Sequence, residues 1–454
     1  MCKTKILKLI IFSLFISAKG IAQLSSEFTV LNARFRKTEP LSEVLSKTPF
    51  EARIVRDENG LLNVVKKNAV IHPYISDYTG RVDPVLQPPF SSENRNEAAS
   101  ATDLQNYDGM GYTAVNPADP VSATGPNHVI QMINAASGAV VKIFDKAGGT
   151  VVNSFLLSNL TNYQGAGDPI VLYDQIAGRW LLNEFGFSGG VTSYINTLIF
   201  AISATDDPTG SWYVYAFADN SFFVDYQKIA IWHNAYFGTS NDFNTTGTAY
   251  LGSSIFAFER NKMLNGDPTA VAIRTRLTHS TGRYFSMAPV TQEGTLPSSL
   301  SGQFAFYQND TWTGDPTDVD SLYTFEFTPN FTTPASSVIS NPTQMAIAAF
   351  DDDLCTATRE RCIPQQGSAT QLEALTGRIM NKVNFRKFPS YESMVLCATA
   401  DANGSGLAGI RWWELRRTSG AWSIFQEGTY APDANHRFMG SITQDAIGNI
   451  GLIY

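Results

Sequence analysis

From about residue 107 onward, short apolar and aromatic runs of strand length are separated by turns rich in Gly, Asp, Asn and Ser. The clearest case is PIVLYDQIAGRWLLNEF (169–185), a strand, a tight polar turn and a strand, followed by the aromatic hairpin TLIFAISATDDPTGSWYVYAF (197–217). The same rhythm returns in GIRWWELRRTSGAWSIFQEG (409–428). Recurrence of paired hairpins predicts four-stranded units stacked beside one another.

Pairing the hairpins gives successive blades. The first takes HVIQMIN, AVVKIF and TVVNSFLL, with turns at Ala135–Gly138 and Asp145–Gly149; the second spans 168–217. The third runs from QKIAIWHNAYFGTSNDF to AVAIRTRL, and the fourth joins RYFSMAPV and GQFAFYQND to LYTFEFTPNFTTPASSVIS. ESMVLCATAD and GIRWWELR make the fifth, and FMGSITQDAIGNIGLIY opens a sixth that stops on a strand. The fold expected is an all-β propeller of about six to seven four-stranded blades, incomplete at the C-terminal end, where the sequence is expected to be a fragment. A β-sandwich is the alternative, but sandwiches seldom repeat one hairpin chemistry so often. Residues 340–377 break the repeat and read as an insertion between blades, with a short helix around Thr370–Met380.

Composition agrees. With 43% hydrophobic and only 16% charged residues the 454-residue chain can bury a large core. Its net charge of −8 excludes the basic footprint of a nucleic-acid binder. Lys3, Lys5 and Lys8 precede a short apolar run ending near Ile16, and Gly20-Ile21-Ala22 supplies small residues for a peptidase, so residues 1–22 read as a signal peptide cleaved after Ala22. The run is too short to span a bilayer, and no membrane insertion is expected. The protein is therefore expected to be secreted or held at the cell surface. Cys2 lies upstream of the apolar run and cannot be the lipidated cysteine of a lipoprotein. Residues 23–82 carry strand-like pieces that pack against the main body, 83–106 has linker composition, and 107–454 is the propeller.

In an oxidising compartment Cys355 and Cys362, within DDDLCTATRERCIPQ, are expected to form a disulfide, while Cys397 in SMVLCATA reads as a buried thiol.

Several segments, GPNHVIQMIN (125–134), GDPIVLYDQIAGRW (167–180), DDPTGSWYVYAF (206–217), RCIPQQGS (361–368), GIRWWELR (409–416) and GTYAPDANHRFMGSITQDAIGNI (428–450), together resemble an uncharacterised family of secreted bacterial, Bacteroidota-type, sialidase-like β-propeller proteins. The resemblance covers about residues 107–454 and implies the fold and export, with no activity attached. The chain departs from the family pattern at Trp413, Phe438, Tyr391 and Ala398.

Thr205–Trp212 is similar to the Asp-box turn of sialidases, with Asp207, Ser211 and Trp212 at matching spacing, and such a turn is structural. Gly186-Phe187-Ser188-Gly189-Gly190 matches G-x-S-x-G, yet the following VTSYINTLIF reads as a strand where a nucleophile elbow needs a helix. The five histidines are scattered, which argues against zinc. Asp315, Asp318 and Asp320, and the run Asp351-Asp352-Asp353, offer oxygens to Ca²⁺ but lack glycine-punctuated spacing. The most chemically suggestive residues are Arg378, Arg411 and Arg437, which could clamp a carboxylate, with Tyr391 and Glu392 as nucleophile and activator and Glu414 beside them. Alternation along 409–416 scatters that set across both strand faces, which favours salt bridges between blades.

The function expected is a glycan- or protein-binding propeller at or outside the cell surface, taking a polysaccharide or glycoprotein. The alternatives are a sialidase-like glycoside hydrolase and a structural module of a larger secreted adhesin.

Overall fold

The computed structural model describes residues 27–55, 81–88, 107–188, 195–219, 221–245, 247–312, 317–355 and 361–454. The signal segment and most of the 83–106 linker lie outside them. Among the described residues α-helix is confined to short pieces, Leu41–Ser46 (α1), Leu157–Thr161 (α2) and Arg260–Leu264 (α3). No helix among the described residues is long and apolar enough to cross a membrane.

The chain is an all-β propeller. An isolated first strand, Thr29–Lys37 (β1), precedes the blades. Blade one is β2 (Val121–Thr124), β3 (His128–Ala135), β4 (Gly138–Asp145) and β5 (Gly149–Leu156). Blade two is β6 (Gln164–Asp174), β7 (Arg179–Ser188), β8 (Ile195–Ser203) and β9 (Trp212–Asp219). Blade three is β10 (Phe223–Ile231), β11 (Tyr236–Phe243), β12 (Tyr250–Phe258) and β13 (Val271–Leu277).

Blade four is β14 (Ala288–Glu293), β15 (Gly302–Gln308) and β16 (Ser321–Thr328), whose outer edge pairs with both β17 (Val338–Ile339) and β18 (Thr343–Ala346). A side hairpin, β19 (Arg361–Gln365) and β20 (Ser368–Glu373), precedes blade five. That blade is β21 (Val383–Lys387), β22 (Glu392–Asp401), β23 (Ala408–Arg417) and β24 (Ser423–Tyr430). The hairpin β25 (Ser441–Gln444) and β26 (Ile450–Ile453) follows.

Successive innermost strands β2, β6, β10, β14, β21 and β25 touch in turn, and β14 and β21 pair directly in parallel. The core lies between blade faces. Leu181, Phe200 and Phe217 of blade two interlock with Ile229, Tyr236 and Phe258 of blade three, and Phe237 and Ile255 of blade three meet Phe304 and Phe325 of blade four. The tryptophans Trp180, Trp212, Trp232 and Trp413 are fully buried in these seams.

Strand β1 stitches two blades together. Its first half pairs with β13 from Thr29 to Asn32, and its second half with β9 from Ala33 to Lys37, so the outer edges of blades two and three become one sheet. Neither edge is left open there. Farther on, the Gln87 N–H donates to the Thr429 carbonyl and Leu86 bridges Thr429, so residues 81–88 cover the outer strand of blade five.

The expected helix around Thr370–Met380 is a correction: its first half is strand β20 and the rest is irregular. Gly367, at φ 74°, closes a tight turn that sends Ser368–Glu373 back along β19 instead of into a helix. Cys355 and Cys362 form the disulfide, with Cα atoms 5.4 Å apart. Cys397 is the buried free thiol, and burial pushes it up to about 12.

The Asp-box segment is a turn. Asp207 Oδ1 accepts from the Thr209 N–H at 2.9 Å and from its hydroxyl at 2.7 Å, while the Trp212 ring, fully buried, donates to the Pro208 carbonyl at 3.1 Å. In the G-x-S-x-G segment Ser188 ends β7, residues 189–194 lie outside the described residues, and the next described element is strand β8.

Candidate functional site at the channel mouth

Where the innermost strands begin, one backbone feature recurs six times. A residue in the left-handed region stands two positions before regular pairing starts, or resumes after a bulge, at Asp119, Asp168, Tyr226, Ser286 and Met439, and Gly377 stands two positions before the isolated bridge at Ile379 that precedes β21, all six at φ between 43° and 75°. All six belong to the same end of the propeller and form a collar around the mouth of its central channel. Only one is glycine. A non-glycine residue held there costs on the order of 1–3 kcal/mol and persists where its surroundings over-determine it.

Those surroundings are hydrogen bonds between neighbouring blades. Asn134 Oδ1 on β3 accepts the Asp168 N–H of the next blade at 2.9 Å. Asn241 Oδ1 on β11 accepts the Ser286 N–H at 2.7 Å, and Thr399 Oγ1 on β22 accepts the Met439 N–H at 3.2 Å. Gln227, fully buried beside Tyr226, donates to the Asp168 carbonyl at 2.6 Å.

The collar gathers charge and aromatic surface. The Lys228 ammonium lies 3.5 Å from the centre of the Tyr226 ring and donates to the Gln227 carbonyl at 3.1 Å. Burial lowers its pKa to about 8; Asp168, Asp119 and Asp225 pull it back up, and Arg378 pushes it down. Aspartates from three consecutive blades therefore act electrostatically on one amine. The Arg378 guanidinium lies over Tyr226 at 5.2 Å and over Phe285 at 5.7 Å, and Phe285 stands edge-on to Tyr250 at 5.6 Å. Tyr226, Phe285 and Tyr250 are all half-buried, so each presents part of a ring at the surface. Such a mixture of carboxylates, cations and accessible ring faces can hold a polar, hydroxyl-rich ligand by hydrogen bonds and stacking.

Of the residues singled out from the sequence, Arg378 reaches this mouth and the others serve elsewhere. Arg411 is wholly buried, bonded to Asp83, Glu427 and the Ala348 carbonyl. Glu414 pairs with Arg416 at 2.6 Å and also accepts from Ser393, Gln426 and Gln444. Tyr391 stacks on Phe388 beneath the Arg416 guanidinium at the opposite end of blade five. Glu392 pairs with Arg417 at 2.7 Å; burial opposes its charge, but the Ser298 N–H and Arg417 hold it below the usual carboxylate range. Arg437 grips Asp433 through both terminal nitrogens. The three arginines thus have three separate sets of partners and form no common clamp.

Asp320 accepts the N–H groups of Asp310 and Phe350, each at 2.8 Å, which is a loop-fixing role. Asp318 lies half-buried beside it and Asp315 lies outside the described residues. No group of three or more metal-binding side chains is gathered among the described residues. Asp351, Asp352 and Asp353 are buried, and burial together with its acidic neighbours raises Asp352 well above the usual range even though Tyr307 donates to it. A separate cleft of about 470 Å³ at the periphery is lined by Arg36, Lys47, Phe50 and Asn162.

The aspartates of the mouth carried a signal in the sequence. Asp119-Pro120-Val121 and Asp168-Pro169-Ile170 repeat Asp-Pro before an apolar strand in consecutive blades. Tyr226 and Lys228 carried none, because neither residue type marks a left-handed turn.

No known family profile matches the chain, and no curated protein matches it. Solved structures do resemble it at low similarity. An α-L-arabinanase from Penicillium chrysogenum, solved with arabinobiose, is 11% identical over 72% of this chain and 85% of its own, with a TM-score of 0.36. The Cellvibrio cellulosa α-L-arabinanase, solved with arabinohexaose, is 10% identical over 74% of this chain and 95% of its own, at 0.28. An endo-arabinase from Bacteroides thetaiotaomicron VPI-5482 is 12% identical over 63% of this chain and 87% of its own, also at 0.28. At these scores the likeness transfers no residue and no substrate.

Proposed function

We propose that this chain is a glycoside hydrolase acting at the channel mouth, with Asp119, Asp168 and Asp225 as the carboxylates from which its acid and its base or nucleophile are drawn. The observation that carries the reading is that Asn134 holds Asp119 and Asp168 of adjacent blades together, with Asp225 also acting on the same Lys228, beside Tyr226, Phe285 and Tyr250. Glycosidic cleavage takes two carboxyl groups on opposite sides of a sugar ring, and half-exposed aromatic rings stack on sugar faces.

The test is a panel of chromogenic glycosides and oligosaccharides, including arabinan and sialoside substrates, against the wild type and the separate variants Asp119→Asn, Asp168→Asn and Asp225→Asn. Loss of about 10²–10⁴-fold in kcat for at least one variant, with KM nearly unchanged, is the expected result for a lost acid or base. No turnover by the wild type on the whole panel would sink the hydrolase reading.

One observation favours a second reading, glycan binding without turnover: the Asp119 carboxylate already accepts from Asn134 at 2.7 Å, which suits a fixed binding group. Calorimetric titration with the same oligosaccharides then gives binding by a wild type that turns nothing over. Export to the cell exterior belongs to both readings and rests on the N-terminal sequence.

A further inference from the structure

We propose that Asn134 is a positioning residue that locks the carboxylate of Asp119 to the backbone of Asp168 and so sets how the two face Lys228. The inference rests on the reading of the channel mouth as the working site.

Asn134 is fully buried on β3, the second strand of blade one. Its Nδ2 donates to Asp119 Oδ2 at 2.7 Å and to the Pro117 carbonyl at 3.0 Å, and its Oδ1 accepts the Asp168 N–H at 2.9 Å. Its backbone is held too: its N–H donates to the Ala118 carbonyl at 2.8 Å and its carbonyl accepts from the Thr113 hydroxyl. One amide therefore fixes a side chain of blade one and a strained backbone position of blade two at once. Because Asp168 sits in the left-handed region, the direction of its side chain follows from the backbone that Asn134 holds.

The repeat supplies comparisons within the molecule. Asn241 occupies the equivalent place in blade three and makes the same acceptor bond to the next blade, but its Nδ2 donates to the Ser286 hydroxyl at 3.0 Å and to no carboxylate. In blade five Thr399 keeps only the acceptor. The acceptor half of the latch is thus common to three blades and structural. The donor half reaches a carboxylate at Asn134 alone among these three, and that carboxylate is one of the groups acting on Lys228, with Asp168, Asp225 and Arg378 as the others.

The experiment reads Lys228 and needs no substrate. The full-length protein is labelled with an amine-reactive acetylating reagent across a pH series, and the rate at Lys228 is followed by peptide mass spectrometry. Wild-type Lys228 is expected to titrate near 8. Asn134→Ser, which retains an acceptor as Thr399 does, and Asn134→Ala free the Asp119 carboxylate, so the ammonium loses part of its compensation and the midpoint falls. A fall of half a unit appears as about threefold faster labelling at pH 7.

Asn241→Ala is expected to leave Lys228 labelling unchanged while lowering thermal stability comparably to Asn134→Ala. Equal shifts at Lys228 from Asn134→Ser and Asn241→Ala, or no shift from Asn134→Ser in a folded protein, would overturn the proposal. A shift in a protein that hydrolyses nothing would leave Asn134 as the positioning residue and defeat only the hydrolase reading.

Discussion

Arg411→Met should be among the most damaging single changes to this fold, although none of its partners belongs to the mouth chemistry. Its guanidinium is wholly buried, bonded to Glu427 and the Ala348 carbonyl, 3.3 Å from Asp83 Oδ1, and packed over Phe350 and Trp413 at 5.7 and 5.5 Å. Asp83 lies on the segment that covers blade five, so the cluster ties residues 81–88 to strands β23 and β24. Methionine fills much of the volume but leaves the Asp83 and Glu427 carboxylates without the cation that offsets their charge and the Ala348 carbonyl without the Arg411 donor. Removing one partner of a buried ion pair costs about 3–5 kcal/mol, most of it from the charge left behind.

The pH dependence has a definite sign. Burial raises the pKa of Asp83 above its ordinary value in the folded protein, although Arg411, Thr429 and the Val85 N–H work against the rise. A carboxyl raised on folding contributes stability below its unfolded pKa and loses it as pH climbs through the folded value. Without Arg411 the rise is larger, so the deficit of the variant should be greatest near neutral pH and should shrink toward pH of about 4. Urea unfolding followed by tryptophan fluorescence measures the loss. Hydrogen exchange at Gln87, whose N–H donates to the Thr429 carbonyl at 2.8 Å, reports whether the covering segment has come loose. A loss below about 1 kcal/mol with unchanged exchange at Gln87 would refute the reasoning, since that is the scale of an exposed pair.

Gly165→Ala should destabilise the protein by about 1–3 kcal/mol or more, because a Cβ there would fall within the buried Glu184 carboxylate, whereas Gly111→Ala, with open space around it, should be close to neutral in the same thermal melt. Cys397 should resist thiol reagents in the native protein and react once it is unfolded, since burial pushes its thiol up to about 12; fast native labelling at that residue would contradict its place in β22. Protein exported by an expressing cell should begin at Gln23, which N-terminal sequencing reads directly, and an intact Met1 on the exported form would defeat the assigned cleavage after Ala22.

The blades were legible because strands packed between neighbouring blades read as apolar, aromatic-rich runs, and short polar turns must separate them. PIVLYDQIAGRWLLNEF and GIRWWELR became β6–β7 and part of β23 for that reason. The role of the Asp box was legible as well, because Asp207 satisfies its own turn without help from afar. The partners of β1 were not. TVLNARFRK has the pattern of a strand, but nothing local says that its halves pair with β13 and β9, which lie far along the chain. The expected helix near Thr370 failed for a related reason: one glycine turn at Gly367 decided the pairing.

Chemistry was the harder part, and the cause is physical. Arg411 and Glu414 are close in sequence, yet the period of two sets them on opposite faces of β23, where Arg411 bonds Asp83 and Glu427 while Glu414 bonds Arg416, so proximity along the chain misrepresented proximity in space. At the mouth the relation is reversed. Asp119, Asp168, Asp225 and Arg378 are scattered through the sequence, and what brings them to one amine is a backbone conformation repeated at the start of each innermost strand. Residue type concealed that repeat, because Ser286 and Met439 adopt the left-handed region under hydrogen bonds that neighbouring blades supply. A propeller holds its variable chemistry at such positions because the latch acts on the backbone N–H and leaves the side chain free to change from blade to blade. Asn134 is where the latch and the chemistry meet, since its amide holds the backbone of one collar residue and the carboxylate of another.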